Sequence, residues 1–532
     1  MTNTSNWQLE RAVGRPPAKT FNDAATLSGL MLRALKRYPR RIAFKEEHSV
    51  ITYGACNERI GQFQQVFAQN GLSLGDRVGV LSANRVDAWC AAMAIQAYGA
   101  VLVPMHPRGS LEDHLFQVVD AQVKFIVVDE ESYASRGADI VSRSGIAAFT
   151  LGCSDFGINL GKAASSIGSA TPRDLSYPEG MATLSYTGGT TGKPKGVARS
   201  QRCLAAGTLS ILTDFEIPQS PRYLAAAPVS HVAGTIVVPT LLRGGTVHLL
   251  PGFDPEQVLR TMASERINTS FLVPTMLYSL LDEPSLERHD ISALETVVYG
   301  AAPMSPARLT EGLLRIGPVF TQLYGQSECN PIAFLPRADH DASRPDIMSA
   351  CGFATSACTV ALLDDDGQPV APGDSGEICV RGPQTMTEYW RQPEVTAEVC
   401  RGGWLHTGDV GRADEQGRLY IVDRKKDMII TGGFNVYPSD IEAVLCQHPQ
   451  VAECAVVGVP SEQWGETPVA CVVARPGTQA AAQELRDWLN ARVGKTQRVA
   501  DLRLAERLPR SEIGKVLKRT LREQYLQATV AP

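Results

Sequence analysis

Short apolar runs alternate with helical patterns over the first 300 residues or so of this chain. Residues 77–81 (Arg-Val-Gly-Val-Leu) precede a helical pattern over 85–98, and the next apolar run is 100–104. Residues 124–128 and 296–299 are runs of the same kind. Strands that are apolar at nearly every position are typical of parallel sheets, whose connecting helices cover both faces. The sequence therefore predicts an α/β fold built on parallel sheets.

The pattern changes after about residue 350. Residues 359–363, 376–380 and 419–422 are predicted to be short strands, and the turns between them contain aspartate and glycine. This part of the chain is predicted to be a β-rich subdomain that closes the large domain. The charged run 423–427 (Asp-Arg-Lys-Lys-Asp) is interpreted as a linker.

The segment beyond the linker is predicted to form a compact α+β domain. Strand patterns at 454–458 and 470–473 are combined with a helical pattern over 479–493. We therefore expect two domains. Residues 1–423 are expected to form a large N-terminal domain, and residues 424–532 a small, mobile C-terminal domain.

The composition is that of an ordinary globular enzyme. With 532 residues the chain is too long for one core, and 44% hydrophobic and 20% charged residues are usual values. A net charge of −5 argues against a nucleic-acid partner. No apolar run approaches the ~20 residues that a membrane span needs, and residues 1–19 lack the apolar block of a signal peptide.

The cysteines indicate a reducing environment. There are twelve of them, and no two have the C-x-x-C spacing of a zinc site or redox pair. Neither a structural metal nor a disulfide framework is predicted, and a cytoplasmic protein fits best. The sequence leaves a homodimer open.

Residues 186–196 (Tyr-Thr-Gly-Gly-Thr-Thr-Gly-Lys-Pro-Lys-Gly) predict a phosphate-binding loop. Glycine lets backbone N–H groups turn inward around an anion, threonine hydroxyls donate hydrogen bonds, and lysine adds positive charge. The loop is not a Walker A motif, because Thr187 stands at its first glycine position and Pro194 at its serine or threonine position. A flexible surface loop is the alternative interpretation of the segment taken alone.

This loop resembles the phosphate loop of the adenylate-forming superfamily, which includes acyl- and aryl-CoA synthetases, peptide-synthetase adenylation domains and beetle luciferases. Further motifs resemble those of the family and follow in its order; they lie at residues 227–234, 299–303, 324–328, 403–409, 423–427, 431–438 and 508–516. The chain departs from the family's usual residues at Gly188, often serine, and at Ser327, usually threonine.

The resemblance implies a nucleotide site made from these motifs. In it an aromatic ring stacks on the purine, a hydroxyl reaches the α-phosphate, and Asp409 with Arg424 contacts the ribose. The implied ATP- and AMP-binding residues are Thr187, Gly188, Gly189, Thr190, Thr191, Gly192, Lys193, Lys195, Gly300, Ala301, Ala302, Pro303, Tyr324, Gly325, Gln326, Ser327, Asp409, Arg424 and Lys515.

The resemblance also implies the catalytic and conformational residues. Lys515, His231 and Glu328 are the implied catalytic residues, and Glu328 and Thr190 are the implied Mg²⁺ ligands. Lys426 is the implied hinge, about which the small domain rotates between the two half-reactions.

The remaining implied contacts are those with CoA and the acyl group. CoA is expected to contact Gly432, Gly433 and Trp464. The expected acyl pocket consists of Ala233, Gly234, Val237, Ala301 and Asn330. None of these five side chains is charged, which suits an uncharged acyl body, either fatty or aromatic.

The implied reaction activates a carboxylic acid with ATP and Mg²⁺ to an acyl-adenylate and then transfers the acyl group to CoA, giving AMP and pyrophosphate. A ligase that delivers its acyl group to a carrier protein is left open. Amino-acid activation for a peptide synthetase is disfavoured, because residues 229–231 (Val-Ser-His) stand where those domains carry an aspartate. A nucleotide-binding protein without catalysis is also disfavoured, because each charged position matched to the family's motifs is present.

Overall fold

The protein is described from a computed structural model, which covers residues 25–47, 49–187, 194–475, 477–510 and 516–530. The α-helices within these ranges are α1 (Leu27–Arg37), α2 (Tyr53–Gln69), α3 (Val86–Ala97), α4 (Leu111–Asp120), α5 (Glu130–Ser144), α6 (Leu160–Ser165), α7 (Gln201–Asp214), α8 (Val237–Leu242), α9 (Pro255–Ser264), α10 (Pro274–Leu281), α11 (Pro306–Arg315), α12 (Pro393–Val399), α13 (Pro438–Leu445), α14 (Ala482–Asn490) and α15 (Lys518–Val530).

The strands divide among four sheets. The first thirteen are β1 (Ile42–Lys45), β2 (Val50–Thr52), β3 (Arg77–Leu81), β4 (Val101–Pro104), β5 (Val123–Val128), β6 (Ala147–Thr150), β7 (Ile158–Asn159), β8 (Met181–Thr187), β9 (Lys195–Ser200), β10 (Arg222–Ala225), β11 (Thr246–Leu249), β12 (Thr269–Leu272) and β13 (Thr296–Gly300). The others are β14 (Phe320–Gln326), β15 (Cys329–Leu335), β16 (Phe353–Ala354), β17 (Thr359–Leu363), β18 (Gly376–Arg381), β19 (Glu388–Tyr389), β20 (Leu405–Ala413), β21 (Leu419–Arg424), β22 (Ile429–Thr431), β23 (Phe434–Val436), β24 (Val451–Ser461), β25 (Gly465–Ala474) and β26 (Asp501–Leu504).

Two large, mostly parallel sheets form the N-terminal part. One has the order β19-β9-β8-β4-β3-β5-β6-β7, and the other has the order β16-β15-β14-β13-β12-β10-β11-β1-β2. Antiparallel pairs lie at their ends, for example β8 with β9 and β14 with β15. The central strands are buried along nearly their whole length, as β13 is at all five positions. The predicted α/β class with parallel sheets is confirmed.

A single hydrophobic core joins the two large sheets. Its largest fully buried side chains come from both, with Phe149 in one sheet and Tyr223 and Phe271 in the other. Helices α1, α2, α3, α7 and α8 contribute to the same core and lie between the sheets.

The smaller sheets follow in sequence. Strands β17, β18, β20 and β21 form an antiparallel sheet, and the C-terminal sheet has the order β23-β22-β25-β24 with β26 parallel to β25. The interpretation of residues 423–427 as a linker is corrected at one end: Asp423 and Arg424 are the last residues of β21, and only 425–427 form the turn. The pairing of Asp409 with Arg424 extends the strand over them. The domain boundary at residue 424 stays a prediction.

Among the helices of the described ranges, not one combines the length and the apolar composition needed to cross a membrane.

Candidate active site

A buried carboxylate, Asp409, is the centre of a polar cluster where three strands meet. Its Oδ2 accepts hydrogen bonds from Tyr324 Oη at 2.7 Å and from Gln326 Nε2 at 2.6 Å. Its Oδ1 lies 2.7 Å from Arg424 Nε. Burial, and secondarily the charge of Asp409, raises the pKa of Tyr324 well above its ordinary value. The phenol is therefore a fixed hydrogen-bond donor at neutral pH.

Strand pairing explains this geometry. Asp409 and Arg424 face each other across β20 and β21, and Tyr324 and Gln326 end β14. Asp409 lies inside the nine-residue strand β20, which begins directly after a turn at residues 401–404. Gly408, at φ 71°, takes up the turn within the strand. A carboxylate held on a strand is more rigidly positioned than one on an exposed turn.

A second carboxylate, Glu328, lies in the loop between β14 and β15. Its Oε1 accepts a hydrogen bond from Tyr389 Oη at 2.7 Å. The ring of Tyr389 is also 5.1 Å from Lys195 Nζ, a cation–π distance. Tyr389 thus joins the predicted metal ligand to the start of β9, which follows the predicted phosphate loop.

The half-buried Glu328 carboxylate fits a Mg²⁺ ligand. Among the described residues, Tyr389 is its one side-chain hydrogen-bond partner, and Oε2 accepts no bond from them. Mg²⁺ is usually held by one or two carboxylates together with substrate phosphates and water. The second predicted ligand, Thr190, lies outside the described residues.

Another group of metal-binding side chains, Glu377, Cys379 and His406, lies beside this cluster on β18 and β20. Its charges are already compensated, because Lys425 Nζ and Arg401 Nη2 lie 3.4 Å and 3.6 Å from Glu377 Oε2. Burial also raises the pKa of Cys379 to about 12, so its thiol is protonated. The group therefore fits a structural role in joining two strands.

His231 is a neutral imidazole beside the apolar region. The Ser230 hydroxyl lies 2.8 Å from its Nδ1, and the ring of His106 packs edge-on at 4.4 Å between centroids. Burial, followed by His106 and Arg199, lowers the pKa of His231 to about 3. A group with this pKa is a poor base for a thiol at neutral pH. His231 is therefore suited to positioning the substrate or lining the tunnel, and not to proton transfer.

The predicted adenine-facing turn follows β13 at Gly300. Gly300 pairs with Leu323 on β14, and a Cβ atom at position 300 would lie 2.2 Å from the Leu323 carbonyl oxygen. Ala301 follows with φ 69°, in the left-handed region. The close approach fixes this turn, with Ala302 and Pro303, next to the end of β14 and so beside Tyr324.

A partly open cavity of about 170 Å³ lies between α3 and α7. Trp89, Met93 and Ile211 give it an apolar wall, and His231 and Asn330 lie at its polar side. Of the five residues predicted for the acyl pocket, Gly234 and Asn330 line the cavity. The other three do not: Ala233 and Val237 are buried in the core behind it, and Ala301 lies in the turn after β13.

Gly234 is required by close packing. A Cβ atom at this position would lie 1.9 Å from the carbonyl oxygen of Val229. The segment before His231 is held by Asn84, which also lines the cavity. Its Oδ1 accepts from Val229 N at 2.8 Å, and its Nδ2 donates to the carbonyls of Ala225 and Ala227. These bonds fix the backbone that carries His231 at the cavity.

The C-terminal part presents an exposed apolar surface at the predicted CoA contacts. Gly432 and Gly433 have φ 59° and 83°, and Gly432 N donates to the Trp464 carbonyl at 2.8 Å. Trp464 and Phe434 are exposed by 49% and 64%. Exposed aromatic side chains next to a glycine turn provide a flat surface for an elongated ligand.

The predicted hinge Lys426 lies in the turn after β21. Asp427 N donates to the Arg424 carbonyl, which closes the turn, while Lys425 Nζ binds Asp365 at 2.7 Å. Beyond the turn, Ser439 N donates to Asp423 Oδ2 at 3.0 Å. Lys426 therefore lies between Lys425, which is anchored to Asp365 in the β-rich part, and the C-terminal part of the chain.

Comparison with known proteins shows the family to which the chain belongs. Residues 31–390 match the family described as AMP-binding enzyme, and residues 440–515 match the AMP-binding enzyme C-terminal domain. It belongs to the AMP-binding enzyme family.

The similarity to curated proteins and to solved structures extends over nearly the whole chain. Medium/long-chain-fatty-acid–CoA ligase FadD8 of Mycobacterium tuberculosis is 38% identical, over 93% of this chain and 89% of its own length. Feruloyl-CoA synthase of an Amycolatopsis species is 34% identical, over 93% and 98%. The structure of the amide bond synthetase McbA from Marinactinospora thermotolerans is 32% identical, with a TM-score of 0.86 over 94% of this chain and 99% of that one. The chain is thus an enzyme, an AMP-forming ligase of the acyl- and aryl-CoA ligase group.

Several predicted residues of this AMP-binding enzyme lie outside the described residues. They are Gly188, Gly189, Thr190, Thr191, Gly192, Lys193 and Lys515. The residues that flank the phosphate loop are described: Thr187 ends β8 and is paired with Lys195, the first residue of β9.

Sequence reasoning missed three residues of the site: Asn84, Tyr389 and Arg199. The first two contact predicted residues across 145 and 61 positions of the chain, and no local pattern indicates such contacts. Arg199 had a signal that could have been used, because it is a charged residue in a strand with buried neighbours on both sides.

Proposed function

We propose that this protein activates a fatty or aromatic carboxylic acid with ATP and transfers the acyl group to CoA. The proposal is carried by the buried Asp409 cluster together with Glu328, which stands two residues before Asn330, a residue that lines the same apolar cavity as His231. The resemblance of the chain to FadD8 and to feruloyl-CoA synthase supports both the acyl class and the acceptor.

In the proposed first step, a carboxylate oxygen attacks the α-phosphorus of ATP, and the bond to pyrophosphate breaks. Both reactants are anions, so the site must supply positive charge. Lys195 and Lys515 are the proposed sources from this chain. Glu328, oriented by Tyr389, would hold Mg²⁺, which neutralises phosphate charge when bound. Asp409 and Arg424 would hold the ribose, and Tyr324 with the turn after Gly300 would hold the adenine.

In the proposed second step, the sulfur of CoA attacks the acyl carbon and the bond to AMP breaks. The thiol proton goes to solvent, because the lowered pKa of His231 makes it unsuitable as a base. Gly432, Gly433 and Trp464 would contact the pantetheine arm after rotation at Lys426. The exposed surface of Trp464 and Phe434 supports this role, because a ligand would cover it.

The reaction is tested with purified enzyme, Mg²⁺-ATP and a panel of straight-chain and aryl acids. We expect AMP, pyrophosphate and acyl-CoA in equal amounts with CoA as acceptor. Formation of ADP would contradict the adenylate mechanism. Parallel reactions with a phosphopantetheinylated carrier protein and with an amine decide the acceptor. Pyrophosphate release followed by transfer only to the carrier protein would support the alternative acyl-AMP ligase.

A further inference from the structure

The acyl cavity contains a basic residue, Arg199. It lies on β9 directly opposite Thr183 of β8, and both residues line the cavity. Its Nη2 donates to Ser185 Oγ at 3.1 Å, whereas its buried Nε has no hydrogen-bond partner. No carboxylate of the described residues forms an ion pair with it, and the charge of Glu328 acts on it only at longer range. A guanidinium carries five N–H donors, so most of its capacity is unused.

Other polar atoms of the cavity residues are unsatisfied as well. Gln96 Oε1, Thr183 Oγ1 and Gln384 Oε1 are buried without a hydrogen-bond partner. A buried polar group without a partner costs free energy, and an unpaired buried charge costs more. Burial accordingly lowers the pKa of Arg199. Four such residues around one cavity indicate a ligand that carries polar atoms of its own.

Arg199 is separate from the phosphate-binding end of β9. It is four residues from Lys195 along the strand, which places the two backbones roughly 13 Å apart. Thr183 is likewise four residues from Thr187, at the other side of the phosphate loop. Arg199 and Thr183 therefore lie deeper in the sheet than the predicted nucleotide contacts.

We propose that Arg199 is a specificity-determining residue that binds an oxygen group on the acyl body of the substrate, apart from the reacting carboxylate. The substrate class is an acid with a second hydrogen-bond-accepting oxygen, carried by a carboxylate or a hydroxyl group. A hydroxyl could also donate to one of the two glutamine oxygens. This inference rests on the proposed function, because it assigns the acyl group of that reaction to this cavity.

The test measures acid binding directly by calorimetry, independently of turnover. The probes are straight-chain acids of a range of lengths, each as the methyl-terminated, ω-hydroxy and ω-carboxy form, together with cinnamate and its para-hydroxy derivative. Wild-type enzyme is compared with Arg199→Met and Arg199→Lys. Arg202→Met is the matched control, because Arg202 follows three residues later at the start of α7, its side chain is 49% exposed, and its guanidinium lies 3.7 Å from Glu179.

We expect wild-type enzyme to bind the oxygenated member of at least one matched set about 10- to 100-fold tighter than its unsubstituted partner, as for a hydrogen bond to a charged donor. Arg199→Met should remove this preference, and Arg202→Met should keep it. If Arg199→Lys keeps the preference for the ω-carboxy acid but loses that for the hydroxy acid, the natural substrate group is a carboxylate. The reason is that lysine keeps the positive charge but not the forked donor geometry of the guanidinium.

The stability of the ligand-free variants separates recognition from structure. Removing a half-buried cation that has no ion-pair partner should raise the melting temperature of Arg199→Met, whereas the loss of a structural arginine would lower it. Equal binding of oxygenated and unsubstituted acids by wild-type enzyme, or an unchanged preference in Arg199→Met, would overturn the proposal. If the proposed reaction itself is wrong, no acid will cause pyrophosphate release, and this outcome does not depend on the binding results.

Discussion

Replacing Asp409 by asparagine tests the polar cluster with a minimal change of shape. The carboxylate accepts hydrogen bonds from Tyr324 and Gln326 on Oδ2, and its Oδ1 forms an ion pair with the Arg424 guanidinium. An asparagine amide has one oxygen and one NH₂ group, and the NH₂ group cannot accept. At least one of the three donors therefore loses its acceptor, and the remaining bonds are no longer charge-assisted.

The magnitude follows from these contacts. A hydrogen bond to a charged group contributes about 1.5–3 kcal/mol. The Arg424 side chain is 37% exposed, so water replaces part of its loss, whereas Tyr324 is buried. We expect the free energy of unfolding to fall by about 2 kcal/mol. If Asp409 also binds the ribose hydroxyls, the loss of charge should weaken AMP binding by about 10²-fold, the equivalent of about 2.7 kcal/mol.

The assay is calorimetric binding of AMP and its 2′-deoxy analogue to wild-type and Asp409→Asn enzyme at 25 °C, below the melting transition. The deoxy analogue should already bind weakly to wild-type enzyme. The substitution should lower the affinity for the analogue by much less than it lowers the affinity for AMP. Asp414→Asn is the control, since Asp414 accepts from Arg418 and Tyr420 at the other end of the same hairpin. It should lose stability without losing AMP affinity. Equal effects on AMP and on the deoxy analogue would refute the assignment of Asp409 to the ribose.

Three further predictions concern the half-reactions and pH. Lys515→Ala should lower acyl-adenylate formation by about 10²-fold or more, as for one preorganised charge, but not thioester formation from supplied adenylate; equal losses in both would contradict this. Lys426→Pro restricts φ in the turn closed by Arg424 and Asp427. It should impair thioester formation while adenylation persists, as measured by paired single-turnover assays. Normal thioester formation by this variant would exclude Lys426 as the hinge. Burial lowers the pKa of His340 to about 4, so the unfolded state binds more protons below about pH 6.5. This residue alone should lower the free energy of unfolding by about 1.4 kcal/mol per pH unit as pH drops towards 4, in addition to the effect of the other buried histidines. His340→Gln should reduce that slope in urea unfolding at pH 7 and pH 5, and identical slopes would contradict the assignment.

The parallel sheets could be predicted because burial on both faces leaves a local signal. The apolar runs at β3, β5 and β13 are predicted within a residue or two, since every position of such a strand must be apolar. Strand β20 was less predictable. Its sequence, Leu-His-Thr-Gly-Asp-Val-Gly-Arg-Ala, contains glycines and polar residues that are typical of turns, yet pairing with β18 and β21 keeps it extended.

The polar residues of the site could be found from motifs, but their partners could not. The contact of Tyr324 with Asp409 joins residues 85 positions apart, and each motif alone resembles an ordinary turn. Resemblance to the family brought both into one site, whereas Tyr389 belongs to none of the motifs used. The acyl cavity was predicted least well, because its wall comes from α3 and α7, whose apolar faces resemble those of any core helix.

The alternation of side chains along β9 gives this one strand two different environments. Lys195, Val197 and Arg199 share a face, so one cation lies at the phosphate edge, one lies in the acyl cavity, and an apolar residue separates them. Two cations on one face repel each other and are costly to bury unless each meets an anion or a strong acceptor. Lys195 has the triphosphate as its proposed partner. Arg199 forms no ion pair with a carboxylate of the described residues, although the negative charge of Glu328 acts on it at longer range. Under the inference drawn above, an oxygen group of the acyl substrate is the partner of Arg199.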